Sequence, residues 1–256
     1  MPDGASPVRF QGLPPPEGLV AQPGPASTSL YWWPVPQVRP VSAPEVLTLR
    51  ERRRVTALPP GPGATYASAR TGTRILLAAL LDEDPYRLVL RRARCPLCGS
   101  LRHGPPEVAT PRGPAPLRIA LTHTAGVVLL ATSTAHRPGV DAEVPHRSPA
   151  PPSPAMLRLL SEPVEAARIT SANYLRAWTR KEAISKAMGV GLGIPLPALR
   201  VRPEHESPLE IRVPPGPWSC VWRVDDLRCP LPGAEGTVAA LATPGRGNLQ
   251  GRRRPS

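Results

Sequence analysis

A-N-Y-L-R-A-W-T-R-K-E-A-I-S-K-A-M (Ala172–Met188) is the stretch on which the fold turns. It reads as a helix that follows Ser171 and is stopped by Gly189, Gly191 and Gly193. Trp178, Glu182 and Lys186 recur four residues apart and share one face, while Ala177, Ile184 and Ala187 make a small apolar side opposite. About forty residues upstream, R-P-G-V-D-A-E (Arg137–Glu143) runs into a predicted strand over Val140–Val144. Period-two geometry puts Asp141 and Glu143 on one face of that strand. If the helix packs near the strand end, three carboxylates converge.

Working outward, a strand is expected near Ser29–Trp33. Leu47–Val55, with L-R-E-R-R-R-V, reads as a basic helix that Pro59–Gly63 breaks. Thr65–Leu81 reads as a second helix, ended by Asp82–Pro85. Tyr86–Arg92, Leu117–Thr122 and Gly126–Ser133 read as strands, and Cys95–Pro106 as a turn-rich loop. Thr134–Gly139 turns the chain so that Val140–Val144 completes a hairpin. Pro145–Pro154 is a Pro-rich connector, and short helices follow at Ser153–Leu160 and Pro163–Ile169. Beyond the long helix, short strands are expected near Leu199–Val201, Leu209–Val213, Ser219–Val224 and Thr237–Ala242. The order predicts an α+β protein of two similar halves forming an intramolecular pseudo-dimer, with the active site in the cleft between them. Residues 1–45 form a Pro-rich N-terminal segment, 46–136 the first half, 137–245 the second and 246–256 a basic tail.

The 256 residues include 39 Pro and 21 Gly, and 41% are apolar, enough for an ordinary core with Pro-rich connectors. The longest apolar run, Ile75–Leu81, falls far short of the roughly 18 residues that cross a membrane. The N-terminus lacks a basic start followed by an apolar stretch, so no secretory signal is expected. Four cysteines are too few for a disulfide scaffold, and a cytoplasmic monomer with reduced thiols is expected. The net charge of +13 attracts polyanions or acidic proteins without choosing among them. Of 32 basic residues only Lys181 and Lys186 are lysines, and both lie in one six-residue window of the long helix. A compact ammonium and a guanidinium are not interchangeable, so that window stands out.

Carboxylates without His or Cys suit a hard cation, Mg2+ or Mn2+, which keeps waters and meets a substrate phosphate. Spacing alone leaves the alternative that Asp-x-Glu is a solvated rim. The Glu182–Lys186 pair would then be helix support of about 0.2–0.5 kcal/mol. Cys95-x-x-Cys98 with His103 suggests zinc, but a closed site takes four ligands, and Cys220 and Cys229 fall in other predicted segments. The C-x-x-C opens no helix of a βαβ unit, which argues against a redox role.

The residues R-P-G-V-D-A-E and W-T-R-K-E-A-I-S-K (Trp178–Lys186) resemble the signature of the 4′-phosphopantetheinyl transferase superfamily, of its surfactin-synthetase-activating type. That signature is G-[VI]-D-x-E followed by W-[ST]-x-K-E-[AS]-x-x-K, and every fixed position matches. G-V-G-L-G-I-P-L (Gly189–Leu196) and A-L-T-H-T (Ala120–Thr124) are similar to two further family segments, with Thr122 in place of a serine. The resemblance implies transfer of the 4′-phosphopantetheine arm of coenzyme A to a serine of an acidic apo carrier protein, acyl or peptidyl, releasing adenosine 3′,5′-bisphosphate. It implies Asp141, Glu143 and Glu182 as ligands of Mg2+, Glu182 and Lys186 as catalytic groups, and Arg70, Thr122, His123 and Lys181 as coenzyme A contacts. Arg50–Arg54 are further candidates for phosphate contact. Where many relatives have Gly-[KR]-Pro, this chain has H-G-P-P (His103–Pro106), so Pro105 replaces a cation that Arg102 or Arg112 must supply. Two rival readings follow from the same residues: a catalytically weak relative that binds carriers, and a basic nucleic-acid-binding protein. Scarce aromatic residues, 4%, and the lack of a recognition motif count against the latter, so no nucleic acid is expected as partner.

Overall fold

The computed structural model describes residues 13–35, 45–124, 126–145, 152–213 and 220–245. Among these the protein is mixed α/β, with three antiparallel sheets and five helices. The basic tail expected at 246–256, the first twelve residues and most of the Pro145–Pro154 connector lie outside the described residues.

The first sheet has the order β1 (Val20–Gly24), β2 (Thr28–Pro34), β7 (Val127–Ser133), β6 (Arg118–Thr124). Strand β2 shows why it sits inside. Leu30 and Trp32 point to one face and Tyr31 and Trp33 to the other, and all four are buried. Residues 20–34 therefore help build the core around the first sheet. The single strand expected at Ser29–Trp33 is the second arm of a hairpin whose first arm, V-A-Q-P-G, is too polar to announce itself.

Helix α1 (Leu49–Ala57) starts at a capping box, in which Thr48 and Glu51 exchange side-chain-to-backbone hydrogen bonds. Helix α2 covers Pro60–Leu81, so P-G-P-G lies within its first turn and does not break the chain after it. The first N–H groups of a helix have no intrahelical acceptor, so proline there costs no hydrogen bond. Helix α2 packs Ala69, Leu76 and Leu77 on Trp33, Val128 and Leu130 of the first sheet.

A small sheet follows in the order β3 (Val89–Arg92), β4 (Pro106–Thr110), β5 (Gly113–Pro114), with the Cys95 loop between β3 and β4. Strand β8 (Gly139–Glu143) does not complete the expected hairpin with β7. Both edges of β7 are already taken by β2 and β6. Instead β8 opens a second sheet, in the order β8, β11 (Val238–Pro244), β10 (Val221–Arg228), β9 (Leu209–Arg212). Ser133 directs the exit by accepting hydrogen bonds from the Ala135 and His136 N–H groups.

The two sheets face each other across one cluster, Leu30, Trp32, Leu129 and Ala131 against Val140, Ala142 and Leu241. On the far side of the second sheet lies α5 (Tyr174–Met188), packed through Ala183, Ile184 and Ala187 on Val224, Ala240 and Ala242. Two shorter helices, α3 (Pro154–Leu160) and α4 (Pro163–Ala166), precede it. The strand expected at Leu199–Val201 is irregular chain, buried as the pattern suggested but without a sheet partner.

Candidate active site at the strand β8 and helix α5 contact

One close approach builds the site. A Cβ placed on Gly139 would sit 1.9 Å from the Ala183 carbonyl oxygen and 2.4 Å from the Ala187 backbone nitrogen. Only glycine lets α5 lie this close to β8. With Ala183 and Ala187 against the strand, the next face of α5 carries Glu182 and Lys186 to the side where Asp141 and Glu143 emerge.

The Lys186 ammonium donates to Asp141 Oδ1 at 2.6 Å, and the Thr122 hydroxyl donates to the same oxygen at 3.1 Å. Asp141 is buried, and its second oxygen, Oδ2, has no hydrogen-bond partner. A buried carboxylate oxygen left unpaired is costly, so this one invites a cation. Burial pushes the Glu182 carboxyl up from its ordinary value, and the charges of Asp141 and Glu143 add to this against the opposing Lys186. Burial and Asp141 likewise raise Glu143, opposed by Lys186 and a hydrogen bond from Trp178. The three carboxylates do not all bring an oxygen within 4.8 Å of one another. The donor set of hard oxygens, an orphaned buried oxygen on Asp141 and the raised Glu143 and Glu182 carboxyls fit a divalent cation such as Mg2+.

A cleft of about 1980 Å3 opens beside the first sheet. Eight arginines and two glutamates line it, together with His123 and Thr124 at the strand end. Glu51 pairs with Arg70 and Arg74, and Glu107 with Arg91. Arg50, Arg54, Arg92, Arg94 and Arg102 keep no carboxylate partner among the described residues, so the cleft wall is strongly cationic. Asp141, Glu143 and Glu182 are not among the lining residues. His123 links the two regions: it borders the cleft, and it feels the charge of Lys186. Burial, then Lys186, hold its imidazole below the ordinary value.

The residues expected to contact coenzyme A thus part company. His123 and Arg70 face the cleft, Arg70 with its guanidinium on Glu51. Thr122 lies across the strand from His123 and bonds Asp141, so its place is in the carboxylate site rather than beside a phosphate in the cleft. Lys181 is the clear correction. Its ammonium is fully enclosed, 2.5 Å from Glu165 and bonded to the Leu160 and Leu196 carbonyls. It anchors the interior flank of α5 and has no surface to offer a ligand. Of the two cations proposed in place of the one missing at Pro105, Arg102 lines the cleft, whereas Arg112 is paired with Glu83.

Sequence reasoning missed the groups that fasten α5. Arg180 is fully buried and donates to Asp226 at 2.8 and 2.6 Å and to the Val201, Arg202 and His205 carbonyls. Glu165, besides holding Lys181, accepts the Val201 N–H at 2.7 Å. The signal was present in part: two adjacent cations, Arg180 and Lys181, precede Glu182 on a helix whose neighbours are apolar. Their acidic partners come from distant loops and strands with no pattern of their own.

A family model described as the 4′-phosphopantetheinyl transferase superfamily matches residues 137–242. That span holds β8, α5 and all but the last two residues of the second sheet, with Asp141, Glu143, Glu182 and Lys186. That segment is similar to the domain of this superfamily, whose members are transferases that use coenzyme A and a divalent metal to modify carrier proteins. No curated protein matches the chain. Among the described residues no helix is long and apolar enough to cross a membrane.

Proposed function

We propose that this protein transfers 4′-phosphopantetheine from coenzyme A to a serine hydroxyl of an acidic apo carrier protein, as the surfactin-synthetase-activating members of the superfamily do. The observation that supports this most is the convergence of Asp141, Glu143, Glu182 and Lys186 across the Gly139 contact. Asp141, Glu143 and Glu182 would hold Mg2+, or Mn2+ in its place. Bound there, the ion would neutralise the coenzyme A pyrophosphate and so lower the barrier to displacement.

The chain's own residues do the rest. The cationic cleft takes the polyanionic nucleotide, with Arg50, Arg54 and Arg102 as unpaired donors and Arg70 on the wall. His123, neutral at pH 7 because burial lowers its basicity, donates one N–H to the 3′-phosphate. Glu182 accepts the proton of the carrier serine, and its raised basicity suits that task. The serine oxygen forms a bond to the β-phosphorus while the bond to the leaving adenosine 3′,5′-bisphosphate breaks. Lys186 keeps a positive charge where negative charge builds on the phosphates. The net charge of +13 speeds encounter with an acidic carrier. Two halves of like architecture, each a four-stranded sheet with one long helix, would place the reacting groups at their junction.

Intact-protein mass spectrometry of an apo carrier after incubation with the protein, coenzyme A and Mg2+ tests the reading. A mass gain of one phosphopantetheine is expected, abolished by EDTA and by Asp141→Ala. No gain with acyl, polyketide and peptidyl carriers, together with no binding of coenzyme A, would overturn it.

A further inference from the structure

Outside the transferase site, the loop between β3 and β4 gathers a second set of ligating side chains. Cys95 Sγ, Cys98 Sγ and a ring nitrogen of His103 all lie within 4.8 Å of one another. Cys98 Sγ is 3.1 Å from His103 Nε2. In a tetrahedral zinc site, a sulfur at about 2.3 Å and a nitrogen at about 2.05 Å stand about 3.6 Å apart, so an adjustment of about half an ångström suffices.

The backbone is shaped for the same purpose. Cys95-Pro-Leu-Cys98 makes a tight turn in which the Leu97 and Cys98 N–H groups point at the Cys95 sulfur. Gly99 follows at a φ of +72°, a left-handed conformation that closes the turn, and its N–H bonds the Cys95 carbonyl at 2.8 Å. The Ser100 carbonyl accepts the Cys95 N–H at 2.8 Å. Such a turn presents two sulfurs in one direction. Nothing in the transferase reading uses this loop chemistry.

We propose that Cys95, Cys98 and His103 bind one Zn2+ with three protein ligands. The fourth position is filled by water or an exogenous ligand, since among the described residues no further Cys, His, Asp or Glu joins the group. Binding displaces the two thiol protons to solvent and oxidises nothing. The ion fastens a loop with contacts in two directions. Arg102, in the same loop, lines the cationic cleft, while Leu97 Cδ2 lies 3.4 Å from where a Cβ on Gly193 would be, just beyond α5. The zinc thus holds in place the segment in which Pro105 replaces a cation, and with it the arginine that stands nearby. Its role is to order this loop, and it is independent of whether the chain transfers phosphopantetheine.

The test is metal content and cobalt spectroscopy on the purified full chain. Elemental analysis should find about one zinc per chain, and Co2+ added to the stripped protein should give thiolate-to-cobalt charge-transfer absorption. Cys98→Ser and His103→Ala, each removing a ligand, should weaken zinc binding by ~100-fold, the upper end of the ~10–100-fold cost of losing even an outer-shell partner. Cys229→Ala, in the core between the sheets, should leave it unchanged. Absence of both zinc and the cobalt band, or full zinc retention in Cys98→Ser and His103→Ala, overturns the proposal. A mass two hydrogens short, showing a Cys95–Cys98 disulfide in protein purified with reductant, would overturn it as well.

Discussion

Replacing Gly139 by alanine probes the contact on which the site depends. The new methyl would lie 1.9 Å from the Ala183 carbonyl oxygen, and real Cβ atoms essentially never come nearer than 3.0 Å to such a neighbour. Helix α5 must therefore retreat by about 1.1 Å at least. The obstacle is helical backbone, so no side-chain rotation relieves it. Retreat loosens the packing of Ala183, Ile184 and Ala187 on the second sheet and stretches the 2.6 Å Lys186–Asp141 hydrogen bond beyond reach. Overpacking of this kind costs ~3 kcal/mol or more. For a domain of this size that lowers Tm by on the order of 10 °C. A 1 Å displacement of catalytic groups costs ~100-fold in rate. Urea denaturation and carrier phosphopantetheinylation read the two effects. Ala187→Gly in the same chain should restore neither, because it removes only the lesser contact, at 2.9 Å. A Gly139→Ala protein within 0.5 kcal/mol of the parent by the same measure, and fully active, refutes the reasoning.

Three further outcomes follow from the same geometry. Glu182→Gln should keep the circular dichroism spectrum and melting temperature near the parent's while lowering transfer by 100-fold or more, in the range typical of a lost general base; an active variant would remove Glu182 from the reaction. Lys181→Met leaves Glu165 buried without its cation and should cost about 3–5 kcal/mol, most of it recovered by adding Glu165→Leu, as double-mutant denaturation can show. Burial holds His123 and His136 below the ordinary 6.5, His123 also through Lys186, so both are neutral in the native state and charged in the acid-unfolded chain. Stability is then fully present above pH 6.5 and falls as pH drops below it, and His123→Asn should flatten part of that slope in melting curves taken from pH 7.5 to 5.

The elements that could be read from sequence were those whose pattern is local. Helix α5 declared itself through its four-residue spacing and glycine stop, and β7 through an unbroken apolar run. Strand β1 did not, because V-A-Q-P-G lies at the edge of a sheet with no buried position, only half-buried and exposed ones. The pairing of β8 was misread because a hairpin is the default for neighbouring strands, and the occupation of both edges of β7 is a fact about the whole sheet. At the site, the motif residues on α5 were legible as a set, but not their division of labour. Helical geometry turns Glu182 and Lys186 toward Asp141, while Arg180 and Lys181, equally basic on paper, turn inward to Asp226 and Glu165. No local signal distinguishes an enclosed ammonium from an exposed one when its carboxylate partner lies 16 residues away.

The strand order of the second sheet also sets a schedule for folding. Every strand of the first sheet has been synthesised once Ser133 is made, so that sheet can close early. Strand β8 leaves it at once, yet its partner is the last strand: Asp141 pairs with Ala240, roughly a hundred residues later. Until β11 slides between β8 and β10, the strand bearing Asp141 and Glu143 has an open edge and its acidic face has no helix fixed above it. Long-range closure of this kind is slow, and a chain growing from a ribosome would wait with one half built and the other unpaired. Competence thus arrives in a single late event, the insertion of V-A-A-L-A-T-P (Val238–Pro244), which assembles the sheet, seats α5 and completes the acidic site together.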